Sequence, residues 1–408
     1  MRLLLIAALS LCVLIIDYQI YKYILTRTKP NSAGRWMRRC YVGYALITDI
    51  FIFAFVLLAF GWPFYGPNSI SPLPLWFAWF FFFNAIPKCI YALFYLTSIC
   101  TGKRVAKRVR QLGMALALYA VFILVKGAFY NTRHFEIKHV TIESTRIPIA
   151  FDGYRMALFS DVHLGNLSGQ QRFLHRFVEE VNRLCPDVIF FTGDMVNMYA
   201  SEITPRVQSV LSQLQAPDGI FSVLGNHDMG AYFGKRAAKI GLTPLENTNL
   251  LIHRQEEMGW KVLQNESVLL CKASDSIALC GVPYPPLPPL FSRSLTHFDL
   301  ERATSQLDSD HFNIMLCHTP KVWETMRDSL VFAHIDLVLS GHTHAMQLKL
   351  KSGSWQWSPA KWLYPYWSGM YGHNGRYLYV NDGLGYVLYP MRVGSKPEIT
   401  LFTLKTGG

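Results

Sequence analysis

Two histidines, His342 and His344, stand two residues apart behind Gly341, and the run before them, Ile335 to Leu339, is almost wholly apolar. In extended chain an i, i+2 pair points to one side, with Cα atoms about 6.5–7 Å apart. Two imidazoles so placed can converge on one metal ion or reach two neighbouring ions. They are equally compatible with an ordinary polar loop. Four other short apolar runs end in residues of ligand type. Tyr154–Phe159 leads into Asp161 and His163, Val188–Phe191 into Gly193-Asp194, Ile220–Leu224 into Gly225-Asn226-His227-Asp228, and Asn313–Cys317 into His318. Carboxylate, imidazole and amide donors together suit Mn, Fe or Zn better than Ca or Mg. A single tetrahedral site takes four ligands, whereas Asp161, His163, Asp194, Asn226, His318, His342 and His344 make seven. Two ions roughly 3.5–4 Å apart, bridged by a carboxylate, use them all.

Runs of four to six apolar residues bounded by turn residues read as buried strands. Helical patterns lie between several of them, at Gln170–Leu184 and Pro205–Leu214. Strands alternating with helices predict an α/β domain. In such sheets functional groups gather beyond the carboxyl ends of the strands, and all five polar clusters stand there. The Pro-rich stretch 281–290 reads as a stiff surface loop. Cys271 and Cys280 flank a hairpin turn around Ala273–Ser276, which leaves open a cross-strand disulfide or two reduced, buried thiols.

Residues 1–130 have a different character. Four apolar stretches, about 3–21, 41–62, 73–99 and 112–130, each reach the ~20 residues that cross a bilayer core as a helix. The expectation is a four-helix transmembrane module over 1–130 followed by a catalytic domain over 131–408. The module holds 14 Lys and Arg against Asp17 and Asp49, while the domain holds 25 of each sign, so the net charge of +12 belongs to the module. A nucleic-acid reader carries its basic stripe on the folded domain, so no nucleic-acid partner is expected. Lys22, Arg27, Lys29, Arg35, Arg38 and Arg39 crowd loop 22–39, and Lys103, Arg104, Lys107, Arg108 and Arg110 crowd loop 100–111, with none in 62–72. By the positive-inside rule both basic loops are cytoplasmic, which puts the catalytic domain outside the cytoplasm. Lys88, within the third stretch, costs roughly 2.5–3.5 kcal/mol at such depth and is expected to pair inside the bundle. Asp49 matches its depth better than Asp17 does.

The ordered set D-x-H, G-D, G-N-H-D, H and G-H-x-H resembles the calcineurin-like metallophosphoesterase superfamily. The domain end, Asn381-Asp382-Gly383-Leu384-Gly385 followed by Pro397-Glu398-Ile399-Thr400-Leu401, resembles its bacterial membrane-anchored branch. The resemblance covers roughly Phe135 to Leu404. It implies a four-layer α/β/β/α sandwich, a dinuclear site and a multi-pass protein of the bacterial cytoplasmic membrane. It places Asp161, His163 and His344 on one ion and Asn226, His318 and His342 on the other, with Asp194 bridging. Water held between two cations loses a proton near neutral pH and attacks phosphorus in line. His227 is the residue the resemblance implies for protonating the leaving group, with Asp228 positioned to orient its ring; structural support is the alternative for His227. Many relatives continue G-H-x-H with Gly-Gly-Gln, whereas this chain has Ala345-Met346-Gln347. A Cβ restricts the backbone there.

The substrate expected is a phosphomonoester, phosphodiester or pyrophosphate. Stretch 354–371, SWQWSPAKWLYPYWSGMY, holds four Trp and three Tyr. Trp and Tyr concentrate where an apolar phase meets a polar one. That suits membrane lipids and a lipid or lipid-linked substrate; an aromatic mini-core packing a long insertion fits equally. Two other readings stay open, a cytoplasm-facing pyrophosphatase acting on UDP-2,3-diacylglucosamine and a non-catalytic membrane sensor. The sequence names neither the physiological substrate nor the oligomeric state.

Overall fold

The structure, a computed structural model, describes residue 13 and residues 15–22, 32–59, 73–167, 170–230, 241–285, 298–353 and 355–407. The chain divides into two compact units. One comprises Met1–Gly66, Ser71–Tyr130 and Leu388–Met391; the other comprises Pro67–Ile70, Asn131–Val387 and Arg392–Gly408.

The first unit contains α1 (Ser32–Ala59), α2 (Leu73–Ile99) and α3 (Lys103–Phe129). Among the described residues two stretches, Leu75–Ile99 and Lys103–Arg133, are long and apolar enough to cross a membrane. The expected count of four is not met there. α1 carries Arg35, Arg38, Arg39 and Asp49, and most of the stretch 3–21 lies outside the described residues. On α2 and α3, Leu93, Leu96, Leu118 and Phe122 point outward, an apolar surface of the kind that lipid covers.

Lys88 is paired, as its depth demands, but with a different partner from the one expected. Its Nζ lies 2.6 Å from Asp17 Oδ2, and Tyr41 donates to Oδ1 of the same carboxylate at 2.8 Å. Counting 1.5 Å per residue ranks Asp49 and Asp17 by depth. It says nothing of which face of the helix each occupies, and Asp17 occupies the face that meets Lys88.

The second unit holds two six-stranded mixed sheets. The first has the order β1 (Glu136–Ser144), β14 (Glu398–Thr406), β2 (Arg155–Phe159), β3 (Val188–Phe191), β4 (Ile220–Ser222) and β5 (Trp260–Val262). β2 to β5 run parallel, and β14 lies antiparallel to β2. The second has the order β12 (Gly369–His373), β13 (Arg376–Val380), β9 (Leu337–Ser340), β8 (Asn313–Cys317), β7 (Asp275–Val282) and β6 (Glu266–Lys272). β13, β9, β8 and β7 are parallel, with β12 and β6 antiparallel at the edges. A small hairpin, β10 (Leu350–Ser352) and β11 (Trp355–Trp357), stands apart from both.

Met156, Leu158 and Phe190 of the first sheet and Leu279, Ile314, Leu316 and Leu339 of the second belong to one buried cluster, so the sheets share a core. The other face of each sheet carries helices. Phe177 of α4 (Gln171–Arg183) packs edge-on against Phe159 with centroids 4.9 Å apart. Trp323 and Met326, from the helix Lys321–Met326, pack with Met315 and Val338. Each such fully buried side chain contributes about 1.5–3 kcal/mol. Strands covered on both faces are apolar at every position, which is why β3 and β8 coincide with the runs read from sequence.

Two expectations fail in detail. The hairpin at Ala273 forms, but Cys271 pairs with Ser276 and Cys280 with Ser267, so the thiols are not cross-strand neighbours. Both are free; Cys280 is buried and Cys271 exposed. The described part of the Pro-rich stretch, 281–285, is buried and begins as the end of β7, not as a surface loop.

Candidate metal centre

The five strand ends converge. His163 Nε2 lies 3.1 Å from His344 Nε2 and 3.9 Å from Asp161 Oδ1, and His344 Nε2 lies 3.2 Å from the same carboxylate oxygen. Beside them His318 Nε2 lies 3.1 Å from Asp194 Oδ2 and 3.1 Å from His342 Nδ1. Asp161, His163 and His344 form one group able to hold a cation; Asp194, His318 and His342 form a second; His163, Asp194 and His227 form a third that overlaps both. Asn226, on the loop after β4 between Gly225 and His227, is buried.

The backbone is bent to achieve this. Asp161 (φ 54°), His163 (51°), Asp194 (60°), His342 (73°) and His344 (51°) all take left-handed conformations. Non-glycine residues do so at a cost of order 1–3 kcal/mol each and cluster at functional sites. Close approach makes it possible at two glycines: a Cβ at Gly225 would collide with the Asp194 carboxylate, and one at Gly341 with Ser160 and Asp161. Ala345 and Met346 also lie left-handed, at φ 48° and 46°. The Cβ atoms do not keep the chain out of this region, and the strain is about 1–2 kcal/mol per residue.

Hydrogen bonds fix which nitrogen of each ring faces inward. His318 Nδ1–H donates to the Thr192 carbonyl at 2.7 Å, and His163 Nδ1–H to Asn197 Oδ1 at 3.1 Å, leaving both Nε2 atoms inward. His342 Nε2 meets the Tyr364 hydroxyl at 3.1 Å. Burial, with His227 nearby, holds His163 well below the usual histidine range, and burial with His318 brings His342 down to about 3. Both are neutral ligand-type imidazoles. For His318 burial works against protonation, but Asp194 and Asp161 carry it up to about 9. Asp161 and Asp194 are both held low: burial opposes their ionisation, and the neighbouring histidines more than offset it.

This donor set fits divalent cations. Asp161 Oδ1 is buried and accepts no hydrogen bond, while inward Nε2 lone pairs surround it. The ion pairs of Asp161 and Asp194 are with histidines, with no lysine or arginine among them in the described residues. Apart from the His318 Nε2–H that reaches Asp194, the carboxylates and inward nitrogens converge as acceptors, which is what a cation satisfies.

His227 and Asp228 part company with expectation. His227 Nδ1–H donates to the Asn197 carbonyl at 2.7 Å, so that carbonyl, and not Asp228, orients the ring. Asp228 instead accepts the backbone N–H groups of Asp194, Met195 and Gly225 at 2.7–2.9 Å. It clasps two strand-end loops together from below. Burial and the Asp194 carboxylate push it up to about 7, against those N–H bonds.

Several contributors were not singled out in the sequence. Asn197 holds both His163 and His227, and its own N–H is one of four that Glu202 accepts, with Gly165, Met198 and Tyr199. Its one sequence signal is its place three residues after Asp194. The loop Asn381–Gly385 backs the first group: Leu384 and Gly385 N–H donate to the Ser160 and Asp161 carbonyls at 2.9 and 2.7 Å. Behind that loop lies a second charged cluster. Lys349 pairs with Asp382, Lys138 with Glu398 and, at 3.6 Å, with Asp382. Burial opposes ionisation of Asp382, but the two lysines hold it at about 2. The buried Arg392 guanidinium donates to the carbonyls of Asp382, Gly383 and Gly385 at 2.5–3.0 Å.

Residues 154–346 match the family model of calcineurin-like phosphoesterases. The chain is 32% identical over 310 residues to the metallophosphoesterase YkuE of Bacillus subtilis, covering 74% of this chain and 99% of that one. The chain belongs to the calcineurin-like phosphoesterase family. It is an enzyme of the metal-dependent phosphoesterase class. Within this family it is 31% identical to a metallophosphoesterase of Helicobacter pylori, over 73% of this chain and 71% of that one. It is 30% identical to a transmembrane protein with metallophosphoesterase domain from Bos taurus, over 71% of this chain. The match spans 62% of that bovine protein.

Proposed function

We propose that the chain is a membrane-anchored dinuclear phosphohydrolase. Asp161, His163 and His344 hold one divalent ion, Asn226, His318 and His342 the other, and Asp194 bridges. One observation carries this reading: His318 Nε2 stands within 3.9 Å of Asp161 Oδ1 and 3.1 Å of Asp194 Oδ2, so the two groups share a border. The ions supply an activated water and neutralise phosphoryl charge for in-line displacement. The protein does the positioning. Asp194 Oδ1 accepts the His227 N–H at 2.8 Å, tying the bridging carboxylate to the backbone of the residue that protonates the leaving group. With its Nδ1–H engaged by the Asn197 carbonyl, His227 leaves Nε2 as the atom that would give a proton to the leaving oxygen, which it would do as the imidazolium.

The bond cleaved is a phosphomonoester, phosphodiester or pyrophosphate, carried on a lipid or lipid-linked molecule. The apolar helices and the Trp-rich segment beside His344 support that class. Four spans over 1–130, a four-layer arrangement of 131–408 and an extracytoplasmic domain belong to the same proposal, the last resting on the two basic loops. The test is a phosphoester panel, lipid substrates included, assayed with Mn²⁺ in detergent. Hydrolysis that a chelator abolishes and Mn²⁺ restores is expected; no hydrolysis across the panel with metal bound would refute it. Reporter fusions after residue 130 and within 22–39 should give opposite sides. A cytoplasmic signal after residue 130 would reverse the orientation.

A further inference from the structure

The segment between His344 and β12 has two sides. One is tied to the centre: Ser358 Oγ donates to the Ala345 carbonyl, Thr343 Oγ1 to the Trp367 carbonyl, and Ala345, Ala360 and Trp367 form a buried cluster. The other side is bare. Leu350 pairs across the hairpin with Trp357, and Ser352 with Trp355, so Leu350, Trp355 and Trp357 share one face. Trp362 packs edge-on against Trp357 at 5.6 Å. Yet Trp355 is 55% exposed, Trp362 75%, Leu363 58% and Leu350 48%. A two-stranded sheet with three-residue strands is marginal in water by itself. Its apolar face needs a covering phase.

Charge says which. Between Asp336 and Asp382 there is no acidic residue, while Lys349, Lys351, Lys361 and Arg376 are basic, in a domain whose total charge balances to zero. Lys349 is consumed by Asp382 and Arg376 by the Phe332 carbonyl. Lys351 and Lys361 are exposed in the same segment, Lys361 next to Trp362 in sequence and Lys351 paired with Gln356 on the reverse face of the three-residue strand. Exposed Trp with flanking Lys is the composition of surfaces that sit at lipid headgroups, and each Lys near an anionic leaflet adds attraction. The chain's own apolar helices keep the domain tethered to a bilayer. We propose that Leu350, Trp355, Trp357, Trp362 and Leu363 form a docking face for the interface of an anionic phospholipid bilayer. Docking brings amphiphilic phosphoesters to the His342–His344 side of the centre; that consequence rests on the phosphohydrolase reading, whereas the docking itself does not.

The experiment uses the full-length protein in nanodiscs of phosphatidylcholine alone or mixed with phosphatidylglycerol, with amide hydrogen exchange read over 348–363. The expected result is exchange slowed about fivefold or more in the anionic discs. K351E/K361E should erase the difference between discs, and W355S/W362S should erase protection in both. Both variants should hydrolyse a soluble nitrophenyl ester like the parent, which shows that they fold, and lose about tenfold on an amphiphilic phosphoester in the discs. Equal exchange in both discs overturns the proposal. So does protection that follows protein concentration and not lipid charge, because a second copy then covers the face. Protection without any ester hydrolysis by the parent would sink the phosphohydrolase reading and leave the docking face standing.

Discussion

Two buried charged clusters lie on opposite sides of the Asn381–Gly385 loop, and they differ in one respect that matters. Behind the loop, Asp382 and Glu398 are matched by Lys138 and Lys349, and Tyr379 donates to Glu398 at 2.7 Å. There each carboxylate has its lysine, and the buried Arg392 guanidinium is satisfied by the loop carbonyls. In front, the ion-pair partners of Asp161 and Asp194 among the described residues are all imidazoles, two of them held neutral; each carboxylate accepts one backbone N–H, and Asp161 Oδ1 accepts no hydrogen bond. Uncompensated buried charge is costly, so the second cluster closes its charge only with added cations. A structural cluster completes itself; a catalytic one is left to be completed.

Substitution should separate the two, and Asp194→Asn should do so most sharply. It removes the charge assigned to bridge the ions, so turnover should fall by roughly 10³-fold or more, on the scale of losing a principal electrostatic stabiliser. Its unfolding midpoint should fall by less than that of Lys349→Met, because relief of the repulsion with Asp161 and Asp228 offsets part of the lost pairing with His318. Retention of most activity would end the dinuclear assignment. His227→Ala should cost about 10²–10³-fold on esters with poor leaving groups, much less on nitrophenyl esters, with metal content kept. Equal losses on both substrate types would remove it as a general acid. Lys349→Met should behave in the opposite way. It strips Asp382 of its closer lysine and should cost about 3 kcal/mol of stability, with nitrophenyl hydrolysis per folded molecule within about twofold of the parent. Lost activity in a folded Lys349→Met protein would erase the distinction.

Protons sharpen the contrast further, and with smaller effects. Asp382 is held at about 2, below its ordinary 3.8, so its contribution to stability is present above that ordinary value. It fades as pH falls towards 2. His318 is shifted the other way, to about 9 from 6.5, so in the metal-free chain its pairing with Asp194 stabilises fully below 6.5. That contribution is lost as pH rises through 9. A cation must displace the His318 proton, so Mn²⁺ uptake by the metal-free protein at pH 8 should release about one proton. Calorimetry in buffers of different ionisation enthalpy measures it, and uptake without proton release would remove His318 from the ligands.

What was legible in the sequence follows from burial. Val188–Phe191 and Asn313–Cys317 are strands covered on both faces, so a near-continuous apolar run marks them, with only Asn313 polar at the start of the second. The polar residue ending each run cannot continue into that core, which is why the strand ends announced the site. Asn197, Glu202 and Tyr364 carry no such mark. Each is one polar residue in a loop or an aromatic-rich stretch; Asn197 and Tyr364 depend on partners far along the chain, as Tyr364 does on His342, and Glu202 acts mainly through its neighbours Asn197, Met198 and Tyr199. Asp228 was legible as part of the site but not in its role, because a residue beside His227 in sequence need not touch its ring. Lys88 shows the same limit: sequence fixes depth along a helix but not the side on which a partner lies.

The central claim is that two ions sit on one shared border. Chelator-treated full-length protein, titrated with Mn²⁺ and counted by mass spectrometry of the bound metal after desalting, tests it most directly. About two ions per chain are expected in the parent, and about one when His344→Ala removes a ligand assigned to a single ion. A parent that saturates at one ion, or a His344→Ala protein that still holds two, would contradict the account.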